Sequence, residues 1–148
     1  MSLSNYDMKP VKELIRVLIG GVEFYQEAKE QVKDSSLSLV FNKMITEKEI
    51  AIKALQTYVY IDEGKPEHQA DTVIKLRESY TRILTLLRIE KSHTYLEQLE
   101  EVEDRVLEKV SAAVMHPLPA PCKSELLQIQ GRMQSCHDEI KALQHITA

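Results

Sequence analysis

At 148 residues the chain suits one domain built on one sizeable core. Apolar residues make up 43% and charged residues 28%, a folded-protein balance that speaks against a disordered chain. The net charge is −4, with lysines and arginines interleaved with acids. That argues against a basic nucleic-acid surface, and no apolar run reaches the roughly 18 residues a membrane helix needs.

Four glycines and five prolines are few breakers, so long helices are expected rather than a many-turned β-fold. The spacing predicts a first helix over 9–33, with Pro10 in its first turn and an apolar stripe of Val11, Leu14, Leu18, Val22, Tyr25 and Val32. Asp34, Ser35 and Ser36 interrupt it and supply a cap for a second helix over 36–62. The second stripe is Leu37, Phe41, Met44, Ala51, Leu55 and Tyr58. Gly64 then takes a C-cap role, and Pro66 prevents continuation.

From Asp71 to Met115 there is neither glycine nor proline. One helix of that length would run about 67 Å and overhang its neighbours. The stripe Val73, Leu76, Tyr80, Ile83, Leu87 loses phase near residues 88–92, so a break is expected there. It divides the segment into a crossover helix over 71–87 and a long helix over 92–115, the latter facing inward through Leu96, Leu99, Val106, Val110 and Ala113. The prolines of 116–121 form a stop and linker. The last helix, over 122–145, carries Leu126, Ile129, Met133, Ile140 and Leu143. The expected fold is all-α: an antiparallel four-helix bundle in one domain, with two short links and one long crossover.

Cys122 and Cys136 stand fourteen residues apart near or within one helix, too far apart to bond. They read as reduced thiols of a cytoplasmic protein, and no secretory leader is visible at the N-terminus.

Four polar residues fall on or beside the core stripes. Glu47 lies three after Met44 and four before Ala51; Glu103 lies four after Leu99 and three before Val106. His137 lies four after Met133 and three before Ile140, and Glu23 borders the first stripe beside Val22. A buried carboxylate must be protonated, paired, hydrated or metal-bound. Ferritin-like di-iron bundles take one Glu from each of two helices and a Glu-x-x-His pair from each of the other two. Here Ile50 stands where the pair begun by Glu47 needs histidine, and Gln134 where the pair ending at His137 needs glutamate. Glu23, Glu47, Glu103 and His137 therefore form a candidate site for one metal ion, iron or manganese by donor type. The competing reading is a metal-free polar network recruiting Tyr25, Tyr58, Gln130, Gln134 or Arg132. The one literal Glu-x-x-His, Glu90 to His93, falls at the expected break and reads as part of a solvated acidic face with Glu97, Glu100 and Asp104.

Short segments carry a resemblance: 21–28 (GVEFYQEA), 47–55 (EKEIAIKAL), 101–104 (EVED) and 137–143 (HDEIKAL). On these the chain resembles a bacterial ferritin-like family of unknown function within the rubrerythrin and ferritin-like superfamily. The resemblance implies the bundle, the crossover between the second and third long helices, and shared ancestry with metal-binding bundles. It implies no activity, and the absent histidine at Ile50 argues against ferroxidase or peroxidase chemistry.

No phosphate loop, nucleophile elbow or zinc pattern is present. The expectation is a non-catalytic structural or interaction protein that associates with itself through the first helix, the third long helix or the crossover. The alternative is an iron- or manganese-binding protein of stress protection or storage.

Overall fold

A computed structural model describes residues 6–87 and 91–147, leaving aside the side chains of Leu87 and Thr147. Among the described residues the chain is all-α, with five helices and no strand: α1 (Lys9–Gln31), α2 (Ser35–Glu63), α3 (Thr72–Leu87), α4 (Lys91–Met115) and α5 (Ala120–Thr147). The break expected near 88–92 concerns 88–90, which lie outside the described residues; α3 is described up to Leu87 and α4 from Lys91.

The local signals act where the sequence put them. Pro10 sits in the first turn of α1, where its missing N–H costs nothing. The Asp34 carboxylate accepts the Leu37 N–H at 3.0 Å and caps α2. Gly64 ends α2 in the left-handed region at φ 75°, and its N–H donates to the Tyr60 carbonyl at 2.7 Å.

Helix α1 packs against α2 and α4, and α5 packs against α4 and α2. The backbones of α1 and α5, and those of α2 and α4, do not approach closely among the described residues, so those pairs lie across the core from one another and meet only through side chains. The inward stripes supply that core: Val11, Leu14, Leu18 and Tyr25 from α1, Phe41, Met44 and Leu55 from α2, Leu96, Val106 and Val110 from α4, and Leu126, Met133 and Ile140 from α5 are all buried. Phe24 meets Tyr95 edge-on at 6.1 Å and Tyr25 meets Phe41 at 5.8 Å, tying α1 to α4 and to α2.

Helix α3 lies outside this set, against α1 and α4. Its apolar stripe does not face them. Val73, Leu76, Tyr80 and Ile83 are exposed, while the buried positions among the described side chains are Ile74 and Thr81; Leu87, the last of the expected stripe, lies outside them. The reason is polar. Asp71 accepts from Arg105 Nε at 2.7 Å and Nη2 at 3.1 Å, caps the Ile74 N–H at 3.1 Å, and donates its own N–H to the Arg16 carbonyl at 2.9 Å. Arg77 donates to Gln98 at 2.8 Å, and Arg82 pairs with Glu27 and Glu78. Gly20 completes the seat: a Cβ there would stand 3.2 Å from Ile74 Cβ and Cγ2, so only glycine admits Ile74 this closely without a shift. These directional bonds set which side of α3 turns inward.

Candidate functional site

The core of the bundle holds a buried cation. Lys48, on α2, is fully buried, and its Nζ donates to Glu103 Oε2 at 2.6 Å from α4, which is equally buried. Tyr25 of α1 donates its hydroxyl to the same oxygen at 2.5 Å. The Lys48 ammonium also lies 5.0 Å from the centroid of the Tyr25 ring, a cation–π distance. Gly21, one turn before Tyr25, makes room for the lysine: a Cβ there would stand 3.2 Å from both Cδ and Cε of Lys48. Thus α1 supplies a gap and a hydroxyl, α2 a cation and α4 an anion.

Charge is balanced but hydrogen bonding is not complete. Glu103 Oε1 is buried with no partner. Burial, and then the Glu103 carboxylate it serves, hold the Tyr25 phenol well above its ordinary range, so it stays a donor. Cys136 of α5 borders this group: burial pushes its thiol up to about 11 against the opposing pull of Lys48. Cys122 is likewise raised to about 11 by burial and then by Glu125. Both thiols are free and buried, and at neutral pH they are protonated rather than nucleophilic.

The four residues singled out from sequence are dispersed. Glu103 alone reaches the core. Glu47 is half-buried and faces Arg132 of α5 at 3.7 Å, with Oε2 buried and without a hydrogen bond. His137 is half-buried at the rim, its Nε2 2.7 Å from Asp104 and its Nδ1 3.3 Å from Asp138. Glu23 is exposed and borders a surface groove of α1 and α2 with Glu49 and Lys53. Among the described residues no group of three or more His, Cys, Asp or Glu side chains is placed to hold a metal ion. Of the partners expected for a polar network, Tyr25 joins Glu103, Arg132 joins Glu47, and Gln134 donates to Asp138 at 3.0 Å.

Sequence reasoning missed Lys48, although a signal was present. It lies four after Met44 and three before Ala51, in the same gap of the stripe that Glu47 fills.

No helix among the described residues is long and apolar enough to cross a membrane. No curated protein and no solved structure matches the chain. The family model described as Domain of unknown function (DUF2383) matches residues 8–116, which span α1 to α4 and include Tyr25, Lys48 and Glu103. The chain therefore belongs to this domain family of unknown function, DUF2383.

Proposed function

We propose that this protein is a non-catalytic helical-bundle interaction protein, ferritin-like in topology, in which a lysine ammonium takes the central place that a metal cation holds in di-iron bundles. The observation that carries the reading is the fully buried Lys48–Glu103 pair at 2.6 Å. A carboxylate at the centre of four helices needs a positive partner, and here a side chain of the same chain provides it. An incoming divalent ion would meet a fixed like charge within hydrogen-bond distance of its one central ligand. The donors around it do not fit iron or manganese: Glu103 Oε2 already accepts two hydrogen bonds, His137 is engaged by Asp104 and Asp138, and Glu23 is exposed. Nor does the pair suit catalysis, because Tyr25, Lys48 and Glu103 are all closed to solvent.

The antiparallel ferritin-like topology is supported by the links. Residues 32–34 join α1 to α2 and 116–119 join α4 to α5, too short for anything but antiparallel neighbours. The connection from α2 to α4 is long and contains α3, as a crossover would. Two free, buried thiols suit the reducing cytoplasm. Interaction is the remaining role, and the exposed apolar side of α3 supports self-association.

The test is metal content and response. The untagged protein, grown with added iron or manganese, should carry less than about a tenth of an ion per chain and gain no thermal stability from either metal, since a ligand specific to the folded state raises its stability. A stoichiometric ion that is lost in Glu103→Gln would overturn the ammonium reading in favour of a metal centre.

A further inference from the structure

Helix α3 is amphipathic the wrong way round. Its outward side carries Val73 at 43% exposure, Leu76 at 71%, Tyr80 at 52%, Ile83 at 57% and Leu86 at 84%. Val73, Leu76, Tyr80 and Ile83 follow the 3-4-3 spacing of a coiled-coil seam. Its inward side carries Arg77, Glu78 and Thr81, half-buried or buried, with Ile74 fully buried and Leu84 half-buried as its apolar side chains among those described. The five outward side chains present about 600 Å² of apolar surface, the upper end of what a monomer leaves uncovered.

We propose that this face is a homodimer interface, covered by α3 of a second copy lying antiparallel across a twofold axis near Ser79 and Tyr80. The proposal rests on the interaction role above and names its partner. Three observations favour a second copy. Two such faces together bury about 1,200 Å², which reaches the floor of specific interfaces, so a second copy covers this face with no further surface needed. The seam is self-complementary: pairing about its centre sets Val73 against Leu86 and Leu76 against Ile83 of the other copy, with uncharged Ser79 beside Tyr80 at the middle. The charges at its edge also suit antiparallel pairing. Arg82 is already neutralised by Glu27 and Glu78. Lys75 would lie about 13 Å along the axis from its symmetry mate, beyond a screening length of about 8 Å in physiological salt. A parallel pair would bring the two Lys75 ammonium groups side by side.

The proposal is tested on the full chain by light scattering coupled to size exclusion, up to about 100 µM. The wild type should run as a dimer. Leu76→Glu with Ile83→Glu should weaken association by at least about tenfold, with an unchanged helical spectrum because both sites are exposed. Ser79→Cys should cross-link through a short bismaleimide, whereas Leu127→Cys on α5 should not. Cys122 and Cys136 are buried and will not compete. A wild type monomeric at every concentration, including one that binds lipid vesicles or another protein through α3, overturns the proposal. So does a dimer indifferent to the paired glutamates, or one in which Leu127→Cys cross-links and Ser79→Cys does not. None of these results touches the metal measurement, so the core reading stands or falls separately.

Discussion

Replacing Lys48 by Met removes the ammonium while keeping most of the length and volume of the side chain, so the change tests charge rather than packing. Glu103 Oε2 would then accept only from Tyr25, and Oε1 would still have no partner. Removing one member of a fully buried ion pair costs about 3–5 kcal/mol, because the other charge is stranded in the core. For a chain of this size that lowers the melting temperature by about 10 °C, and it leaves a measurable fold if the wild type lies in the usual range of about 5–15 kcal/mol. Glu103→Leu alone strands the lysine instead and should cost a similar amount. The double variant strands neither charge. It leaves the Tyr25 hydroxyl without its acceptor, a loss of about 1–3 kcal/mol, offset by the desolvation no longer suffered by two ions. The double variant should therefore lie within about 2 kcal/mol of wild type, far from the sum of the singles. Urea denaturation of the four proteins, followed by circular dichroism at neutral pH, measures all terms of the cycle. A single Lys48→Met variant that loses less than about 1 kcal/mol, or a double variant equal to the sum, would refute the view that the ammonium neutralises a buried carboxylate.

Two further outcomes follow from the same geometry. Burial pulls the Asp71 carboxyl up, but bonds from Arg105 and the Ile74 N–H outweigh it and hold it below 3.8. A depressed carboxyl contributes stability above its unfolded value that is lost as pH falls through its folded one. Asp71→Asn should thus cost about 1–2 kcal/mol at pH 7 and progressively less below pH 4, read from urea midpoints at both pH values. Gly21→Ala, a substitution that in mid-helix ordinarily gains about 1 kcal/mol, should instead destabilise, because its Cβ would press on a lysine stem whose end is fixed by Glu103; a rise in melting temperature would show that the stem can move aside.

The helices were legible because breakers and stripes act locally. Asp34 and Gly64 are caps whatever surrounds them, and every stripe residue named on α1 and α4 is buried. What spacing does not carry is direction or choice within a gap. On α3 the described residues of the expected stripe, Val73, Leu76, Tyr80 and Ile83, do share a face, but the bonds of Asp71, Arg77 and Arg82 turn it outward. On the long helices a seven-residue gap between core positions admits either of two neighbours. Between Met44 and Ala51 the core takes Lys48 and leaves Glu47 at the edge; between Met133 and Ile140 it takes Cys136 and leaves His137 at the rim. Between Leu99 and Val106 it takes both Val102 and Glu103. Only the three-dimensional arrangement of four helices decides such cases. Glu47 and His137 carry the carboxylate and imidazole a metal site needs, but the fold buries the neighbouring amine and thiol of Lys48 and Cys136 instead.

The adjacent glycines Gly20 and Gly21 connect the two unusual features. Successive helical residues point about 100° apart, so Gly20 meets Ile74 of α3 while Gly21 meets the stem of Lys48 in the core. Helix α1 is thus narrowed on two sides at one level, toward Lys48 and toward α3. Rolling α3 about its axis to hide Leu76, Tyr80 and Ile83 would break the Asp71–Arg105 pair and the bonds of Arg77 and Arg82. It would also press the charged side of the helix outward at the cost of the close seat at Gly20. Charge-assisted hydrogen bonds are directional and apolar burial is not, so the polar side holds the inner position and the apolar side is left to be covered from outside. The same preference operates in the core, where Lys48 is fixed by where Glu103 and Tyr25 place their oxygens. In both places directional polar contacts determine the orientation, and apolar surface fills what remains.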